Sequence, residues 1–154
     1  MKGVLFREAQ IGDLHEIIRL LNDDDLGAGR EEISDEPDPA YASAFEAISK
    51  DPHNTVFVVE REGKVVGCLQ LTLIPNLSFT GAWRGQIEGV RIDKSMRGTG
   101  IGTEFFEWII AKAKQSKCKI IQLTMNVTRK DAHRFYENLG FEPTHTGFKL
   151  YIKE

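Results

Sequence analysis

Three glycines and an arginine lie together at the start of an apolar-striped segment. In the stretch MRGTGIGTEFFEWIIAKAK, Arg97 is followed by glycines at positions 98, 100 and 102. A helix that begins here leaves its first backbone N–H groups without partners and carries partial positive charge at that end. Glycines let a ligand approach the backbone closely, and Arg97 adds a permanent cation. The pattern favours binding of an anion, most often a phosphate. The alternative is a plain tight turn into a helix.

Two well-known phosphate-binding motifs do not fit this spacing. The dinucleotide fingerprint G-x-G-x-x-G requires a glycine at position 103, which is Thr103 in this chain. The Walker pattern closes its loop with Gly-Lys-Ser/Thr, whereas the first lysine after Gly102 is Lys112. The sequence therefore predicts a phosphate site of another kind.

The elements that position this turn follow from hydrophobic periodicity. Strands are predicted at Val4–Arg7, Thr55–Arg61, Lys64–Ile74, Gln86–Ile92 and Ile120–Met125, with a final hairpin of Phe141–Thr144 and Phe148–Ile152 around Gly147. Glu62-Gly63 is predicted as the turn between the second and third strands, and PNLSFTGAW as a loop. Helices are predicted at Asp13–Leu21, at Ala40–Lys50, after the glycine turn, and at Lys130–Leu139, where Gly140 closes the helix as a C-cap. The predicted inward residues are Tyr41, Ala44, Phe45 and Ile48 in the second helix and Ile101, Phe105, Trp108 and Ile109 in the third. Asp13 and Glu16 have the spacing of a capping box. The order β-α-α-β-β-β-α-β-α-β-β indicates an α/β fold (α+β by topology) with a central mixed, mostly antiparallel sheet flanked by helices.

Length and composition limit the class of protein. The 154 residues indicate one domain, 1–154, with a core that needs no metal or disulfide. A net charge of −3 disfavours direct nucleic-acid binding, and no apolar run is long enough for a membrane span. The N-terminal segment MKGVLFREAQ has no signal-peptide core. Cys68 and Cys118 are therefore interpreted as reduced thiols of a cytoplasmic protein. His15, His53 and His145 lack metal-ligand spacing, so no metal is expected.

Three motifs in order along the chain resemble one family. They are Arg97 to Gly102, the preceding strand QIEGVRIDKSMRG, and the late segment DAHRFYENLGF from Asp131 to Phe141. Together they resemble the pyrophosphate loop, the acyl-CoA strand and the closing Tyr-x-x-x-Gly-Phe of the GNAT superfamily of acyl-CoA-dependent N-acetyltransferases. The resemblance spans essentially the whole chain. It implies the GNAT fold and acetyl-CoA as cosubstrate.

The resemblance also implies how coenzyme A is bound. Arg97 supplies charge to the pyrophosphate, and the loop supplies backbone amides, from Gly98, Thr99, Gly100, Ile101, Gly102 and Thr103. Val90 and Ile92 offer backbone groups to the pantetheine arm, and Phe135 packs or lines that arm. Many members carry an asparagine where this chain has Arg129, three residues before Ala132. Either Asn126, on the pantetheine amides, or Arg129, on the phosphates, can take that role.

Two residues are candidates for proton transfer. Glu88 lies two residues before Val90, hence on the same face of a regular strand, and the family often places a base here. Its alternatives are a solvent-facing glutamate or a structural salt bridge. The resemblance makes Tyr136 the acid near the sulfur; its alternative is an aromatic covering the core. The amide of Val90 is the candidate donor to the developing oxyanion.

The acceptor is expected to be a primary amine of a small molecule or peptide. The loop from Asn22 to Ala40 carries eight acidic residues against Arg30 alone, a negative rim that would attract cationic amines. A solvated charge run is the alternative. Phe79 and Trp83 can line an apolar part of the pocket or cover an edge. A homodimer through Phe148–Ile152 is possible by analogy. The rival function is a GNAT-fold regulator that binds acyl-CoA without turnover.

Overall fold

The computed structural model describes residues 2–23 and 34–153. The chain divides into two compact units, Met1–Gln122 and Leu123–Glu154. The acidic stretch at 24–33 lies outside the described residues. The single domain 1–154 stays a prediction.

The strands of the first unit's sheet lie side by side in chain order. The five strands, in the order β1-β2-β3-β4-β5, are β1 Val4–Glu8, β2 Asn54–Arg61, β3 Lys64–Ile74, β4 Arg84–Ile92 and β5 Ile120–Leu123. The pairings from β1 to β4 are antiparallel. Glu62 and Gly63, both at positive φ, form the two-residue turn between β2 and β3. Positive φ at both positions is typical of a type I′ turn, whose twist matches that of the strands.

Five helices accompany the sheet in the described residues. They are α1 Leu14–Asn22, α2 Pro39–Lys50, α3 Ser78–Gly81, α4 Ile101–Gln115 and, in the second unit, α5 Lys130–Asn138. Short 3-10 turns at Ile11–Asp13 and Lys94–Met96 precede α1 and the glycine loop. The predicted class, a mixed α/β fold with helices flanking a sheet, is confirmed. The turn α3 was predicted as loop.

The apolar core lies on both faces of this sheet. Ile101, Phe105 and Ile109 of α4 are fully buried, and Phe105 stacks on Phe6 of β1 with ring centroids 5.5 Å apart. Phe106, which the predicted stripe omitted, is 1% exposed. On the other face, Ile17 and Leu20 of α1 pack with three sheet residues, Val58, Val65 and Cys68. Ala44, predicted to point inward from α2, is exposed.

The predicted capping box at α1 is wrong. The Asp13 side chain makes no capping bond to α1. It accepts instead from the Gln10 backbone N–H at 2.7 Å and from both terminal nitrogens of Arg7 at 2.7 and 3.0 Å. The reason is the 3-10 turn, which moves the start of the helical segment to Gln10. Arg7 holds the pKa of Asp13 below its usual range. The Nε of Arg7 also donates to the Glu60 carboxylate at 2.8 Å.

The predicted final hairpin is not present among the described residues. Residues 141–153 belong to no helix or strand. Pro143 interrupts the first predicted strand and has no N–H to give to a ladder. Phe148, Leu150 and Ile152 are each more than 90% exposed.

Candidate functional site

The glycine loop begins from a well-anchored turn. The Asp93 carboxylate accepts from the Ser95 backbone N–H at 2.9 Å and from its hydroxyl at 2.7 Å. These bonds, with an ion pair to Arg19 at 3.0 Å, hold the pKa of Asp93 below its usual range. The Thr99 hydroxyl donates to the carbonyl of the buried Met96 at 2.6 Å. The loop is therefore fixed at its base, while Arg97 is exposed.

The loop itself is open where a side chain would stand. Gly98 and Gly100 have φ of +74° and +85°, and a Cβ at either position would have no atom within 4 Å. Gly100 is the N-cap of α4 and supplies no side-chain cap. The Glu104 N–H donates to the Gly100 carbonyl at 3.1 Å, so the first three helical N–H groups, from Ile101 to Thr103, precede the intrahelical bonds. Because the glycines have no Cβ, the space beside these donors stays open, and such a space suits a bound anion.

The predicted acyl-CoA strand contains a β-bulge. Glu88 pairs with Gln70 and Arg91 pairs with Cys68, so Leu69 alone stands opposite two residues of β4, Gly89 and Val90. Gly89 has φ of +63°, which is typical of a bulge that begins with a left-handed glycine. The thiol of Cys68 lies 3.6 Å from the Gly89 carbonyl oxygen and donates to it. The Val90 carbonyl oxygen accepts from Arg91 Nη1 at 2.8 Å. A bulge locally disrupts the ladder, which makes the backbone N–H groups at Gly89 and Val90 the candidates for a ligand.

The bulge overturns the prediction that Glu88 and Val90 share a face. Cross-strand partners lie on one face, so Glu88, opposite Gln70, shares a face with Arg91, opposite Cys68. Val90, next to Arg91, belongs to the other face. The extra residue at Gly89 shifts the alternation, and the i, i+2 rule fails across it. A glycine inside a strand pattern was the available signal.

Glu88 is available as a proton acceptor. Its side chain is exposed, and no ion pair or hydrogen bond joins it to another residue of the described chain. The salt-bridge alternative therefore has no support in the described part of the chain.

Tyr136 lies in the second unit, on α5. It is half-buried, and its ring lies 5.3 Å from that of Phe135 and 5.9 Å from that of Phe141. Gly140, at φ +94°, ends the helix as predicted. The Phe141 N–H donates to the Tyr136 carbonyl at 3.0 Å, so the Tyr-x-x-x-Gly-Phe motif forms one compact helix end.

Asn126 and Arg129 flank the turn before α5. The Asn126 side-chain oxygen accepts from the Thr128 N–H at 3.0 Å and its hydroxyl at 2.7 Å. That leaves the Asn126 amide NH₂ for a ligand. Arg129 is the N-cap residue of α5. A groove on α5 is lined by Val127, Lys130, His133 and Arg134.

Within residues 2–23 and 34–153, no group of three or more His, Cys, Asp or Glu side chains is arranged to hold a metal ion. No helix there has the length and apolar character to cross a bilayer.

Residues 14–141 match the model of the acetyltransferase (GNAT) family. The chain belongs to the GNAT family. Aminoalkylphosphonate N-acetyltransferase of Salmonella typhimurium is 32% identical over 109 residues, which cover 71% of this chain and 70% of that protein.

Two solved structures share the fold of this chain. A crystal structure of a transcriptional regulator from Bacillus halodurans C-125 superposes with a TM-score of 0.94 and 43% identity, over 97% of this chain and 99% of that chain. AAC(6')-Iy in complex with the bisubstrate analog CoA-S-monomethyl-acetylneamine has a TM-score of 0.78 over 98% of each chain. At 18% identity the second likeness shows the fold alone.

Membership confirms that this GNAT chain is an acetyl-CoA-dependent acyltransferase with N-acetyltransferase relatives. The open glycine loop and the exposed Arg97 fit an anionic cosubstrate, because they offer backbone donors, positive charge and space in one place.

Proposed function

We propose that this protein transfers an acetyl group from acetyl-CoA directly to a primary amine of a small molecule or peptide. The observation that carries the proposal is the open loop at Gly98 and Gly100, which follows the bulged strand within a dozen residues. One element offers donors for phosphates, and the other offers a disrupted strand ladder beside which a thioester arm can bind. The sequence shows no recognisable motif of a Cys or Ser nucleophile, so it gives no indication of an acyl-enzyme intermediate.

The cosubstrate residues are proposed as follows. Arg97 and the amides from Gly98 to Thr103 bind the pyrophosphate. Val90 and Ile92 bind the pantetheine arm through their backbone. On the second unit, Asn126 contributes its amide NH₂, whereas Arg129 contributes charge for phosphate oxygens; Phe135 packs on the arm. These last three assignments rest on the family resemblance.

Acetyl-CoA supplies an activated acetyl thioester, and the protein supplies proton transfer and charge stabilisation. An alkylamine is mostly protonated at neutral pH, so a base is needed before it can attack. The exposed carboxylate of Glu88 takes that proton, directly or through water. The Val90 amide donates to the carbonyl oxygen as negative charge develops there. Tyr136 protonates the leaving thiolate, an assignment that rests on the Tyr-x-x-x-Gly-Phe motif.

The acceptor amine is proposed to be cationic. The acidic loop between α1 and α2 would concentrate cations at the site. Half of its acidic residues lie at 24–33, outside the described residues. Of those described, Asp23 pairs with Lys94 at 3.2 Å and Asp38 caps α2, so part of the charge is already used. The Salmonella relative, named for an aminoalkylphosphonate substrate, supports a small-molecule amine.

The name of the Bacillus halodurans structure favours a second candidate, a regulator that binds acyl-CoA without turnover. Relatives named as N-acetyltransferases favour the enzyme. We also propose a cytoplasmic homodimer that makes no direct contact with nucleic acid. The exposed apolar side chains of Phe148 and Ile152 support the dimer, and sedimentation of the purified protein tests it.

The experiment is a thiol-release assay with acetyl-CoA and a panel of amines. Free CoA should appear only when an acceptor amine is present. Glu88→Gln should lower kcat/KM by about 100-fold or more, as expected for loss of a general base. Glu107→Gln, on the exposed face of α4, is the matched control and should leave the rate unchanged. Binding of acetyl-CoA without turnover on any amine would transfer the assignment to the regulator.

A further inference from the structure

One face of β4 presents a row of polar side chains. Arg84, Gln86 and Glu88 alternate along the strand with Gly85 and Ile87, which are buried. The row lies before the bulge at Gly89, so strict alternation holds and the three side chains share a face. Glu88, the proposed base, is the member nearest the bulge.

The row continues onto β5 through hydrogen bonds. The Gln122 Nε2 donates to the Gln86 Oε1 at 2.7 Å. Arg84 Nη1 donates in turn to the Gln122 Oε1 at 3.0 Å. This chain of bonds holds the guanidinium against the polar row.

The Arg84 side chain is also held from the β3–β4 connection. Its Nη2 donates to the Ser78 hydroxyl at 3.1 Å, and its guanidinium carbon lies 5.5 Å from the centroid of the Phe79 ring. Phe79 and Thr80 stand at φ of +51° and +59°. A left-handed conformation of two non-glycine residues is costly. This strained turn brings the Phe79 ring over the cation.

The charge of Arg84 has no counter-charge in the described part of the chain. All of its hydrogen-bond acceptors are neutral oxygens, and no carboxylate among residues 2–23 and 34–153 forms an ion pair with it. Its Nε is buried and has no acceptor there. Half-buried guanidinium groups are normally paired with carboxylates or phosphates, which match their fork of donors. Within the described residues, the Arg84 guanidinium therefore keeps a charge that a bound oxyanion can pair with.

The strand places Arg84 on the same face as the proposed base. Arg84 and Glu88 are four positions apart, about 13 Å between their Cα atoms along an extended strand. We propose that the acceptor is zwitterionic: its amine meets Glu88, and an oxyanion at its other end, a phosphate, phosphonate or carboxylate, is bound by Arg84. This inference rests on the proposed function and narrows its cationic amine to one whose molecule also carries an oxyanion. It makes Arg84 a specificity residue, remote from the reacting atoms.

Three acceptors that share an aminoethyl group test the inference. They are O-phosphoethanolamine, β-alanine and ethanolamine, whose ends are a phosphate, a carboxylate and a neutral hydroxyl. The wild-type protein should acetylate the better of the two anionic acceptors with a kcat/KM about 10- to 100-fold above that of ethanolamine, the range of a charge-assisted hydrogen bond. The difference should lie in KM, because Arg84 binds and does not react.

Two variants assign the preference to Arg84. Arg84→Gln removes the charge, and Gln122→Glu places a carboxylate where Arg84 already donates. In each variant, the kcat/KM for the anionic acceptor should fall close to that for ethanolamine. Lys114→Gln, on the exposed side of α4, is the control and should keep the wild-type ratio. Thermal unfolding of each variant confirms that the protein tested is folded.

Each contrary outcome has a distinct meaning. Equal kcat/KM for all three acceptors in the wild type, or a preference that survives both variants, overturns the inference and leaves the N-acetyltransferase intact. Acetylation of other amines but none of these three does the same. Failure with every amine tested overturns the proposed function, and the inference with it.

Discussion

The two left-handed glycines Gly98 and Gly63 allow the phosphate loop to be tested against a matched control. Both have positive φ, +74° and +79°, and a Cβ at either would meet no atom within 4 Å. An alanine at either position therefore clashes with nothing and carries only the backbone cost of the left-handed region, about 1–2 kcal/mol. For a chain of this length that lowers Tm by about 2–8 °C. The two variants should lose similar stability.

Their affinities for acetyl-CoA should differ. Gly63 lies in the turn between β2 and β3, whereas Gly98 lies in the proposed phosphate loop. If Gly98→Ala keeps a phosphate oxygen from the backbone, it removes a charge-assisted hydrogen bond, about 1.5–3 kcal/mol, or about 10- to 150-fold in Kd. Calorimetric titration of acetyl-CoA measures this in both variants. Equal affinities for Gly98→Ala, Gly63→Ala and the wild type would refute the proposed role of the loop.

Three further predictions concern the scaffold. Phe105→Ala should cost about 3–5 kcal/mol of unfolding free energy, because its ring is fully buried, whereas Leu77→Ala, at 97% exposure, should cost less than about 0.5 kcal/mol; equal urea midpoints would contradict this. Asp13→Asn should reduce the loss of unfolding free energy at acidic pH. The pKa of Asp13 is lower in the folded than in the unfolded protein, so its stabilising contribution is present above about pH 4 and lost as pH falls through the folded pKa. Urea titrations from neutral pH downward check this, and the same acid dependence in the variant and the wild type would count against it. Cys68, whose pKa burial raises to about 12, should resist an aromatic disulfide reagent in a Cys118→Ser background until the protein is unfolded; rapid native labelling would show that it is accessible.

Local signals in the sequence predicted the parts of the fold that local chemistry decides. Glu62-Gly63 predicted the β2–β3 turn because a two-residue hairpin needs positive φ. The glycines at 98 and 100 predicted the open loop, and Gly140 predicted the end of α5. Each of these depends on backbone conformations that only a few residue types adopt.

What the sequence missed depends on partners distant along the chain. The register of β3 places the bulge opposite Leu69, and it moved Val90 off the face of Glu88. Asp13 lost its predicted capping role to a 3-10 turn and to Arg7, a residue of β1. The row from Arg84 to Glu88 was visible as alternation, but its link to Gln122 needed the β4–β5 pairing. Long-range pairing, which periodicity does not encode, decided all three.

The most direct test of the proposed function follows the acetyl group itself. The protein is incubated with acetyl-CoA labelled with ¹³C in the acetyl group and with the best acceptor amine, and the amine is then analysed by mass spectrometry and NMR. The account predicts the label in an amide on the acceptor nitrogen, in amounts equal to the CoA released. An acceptor that stays unlabelled while the protein binds acetyl-CoA would contradict it.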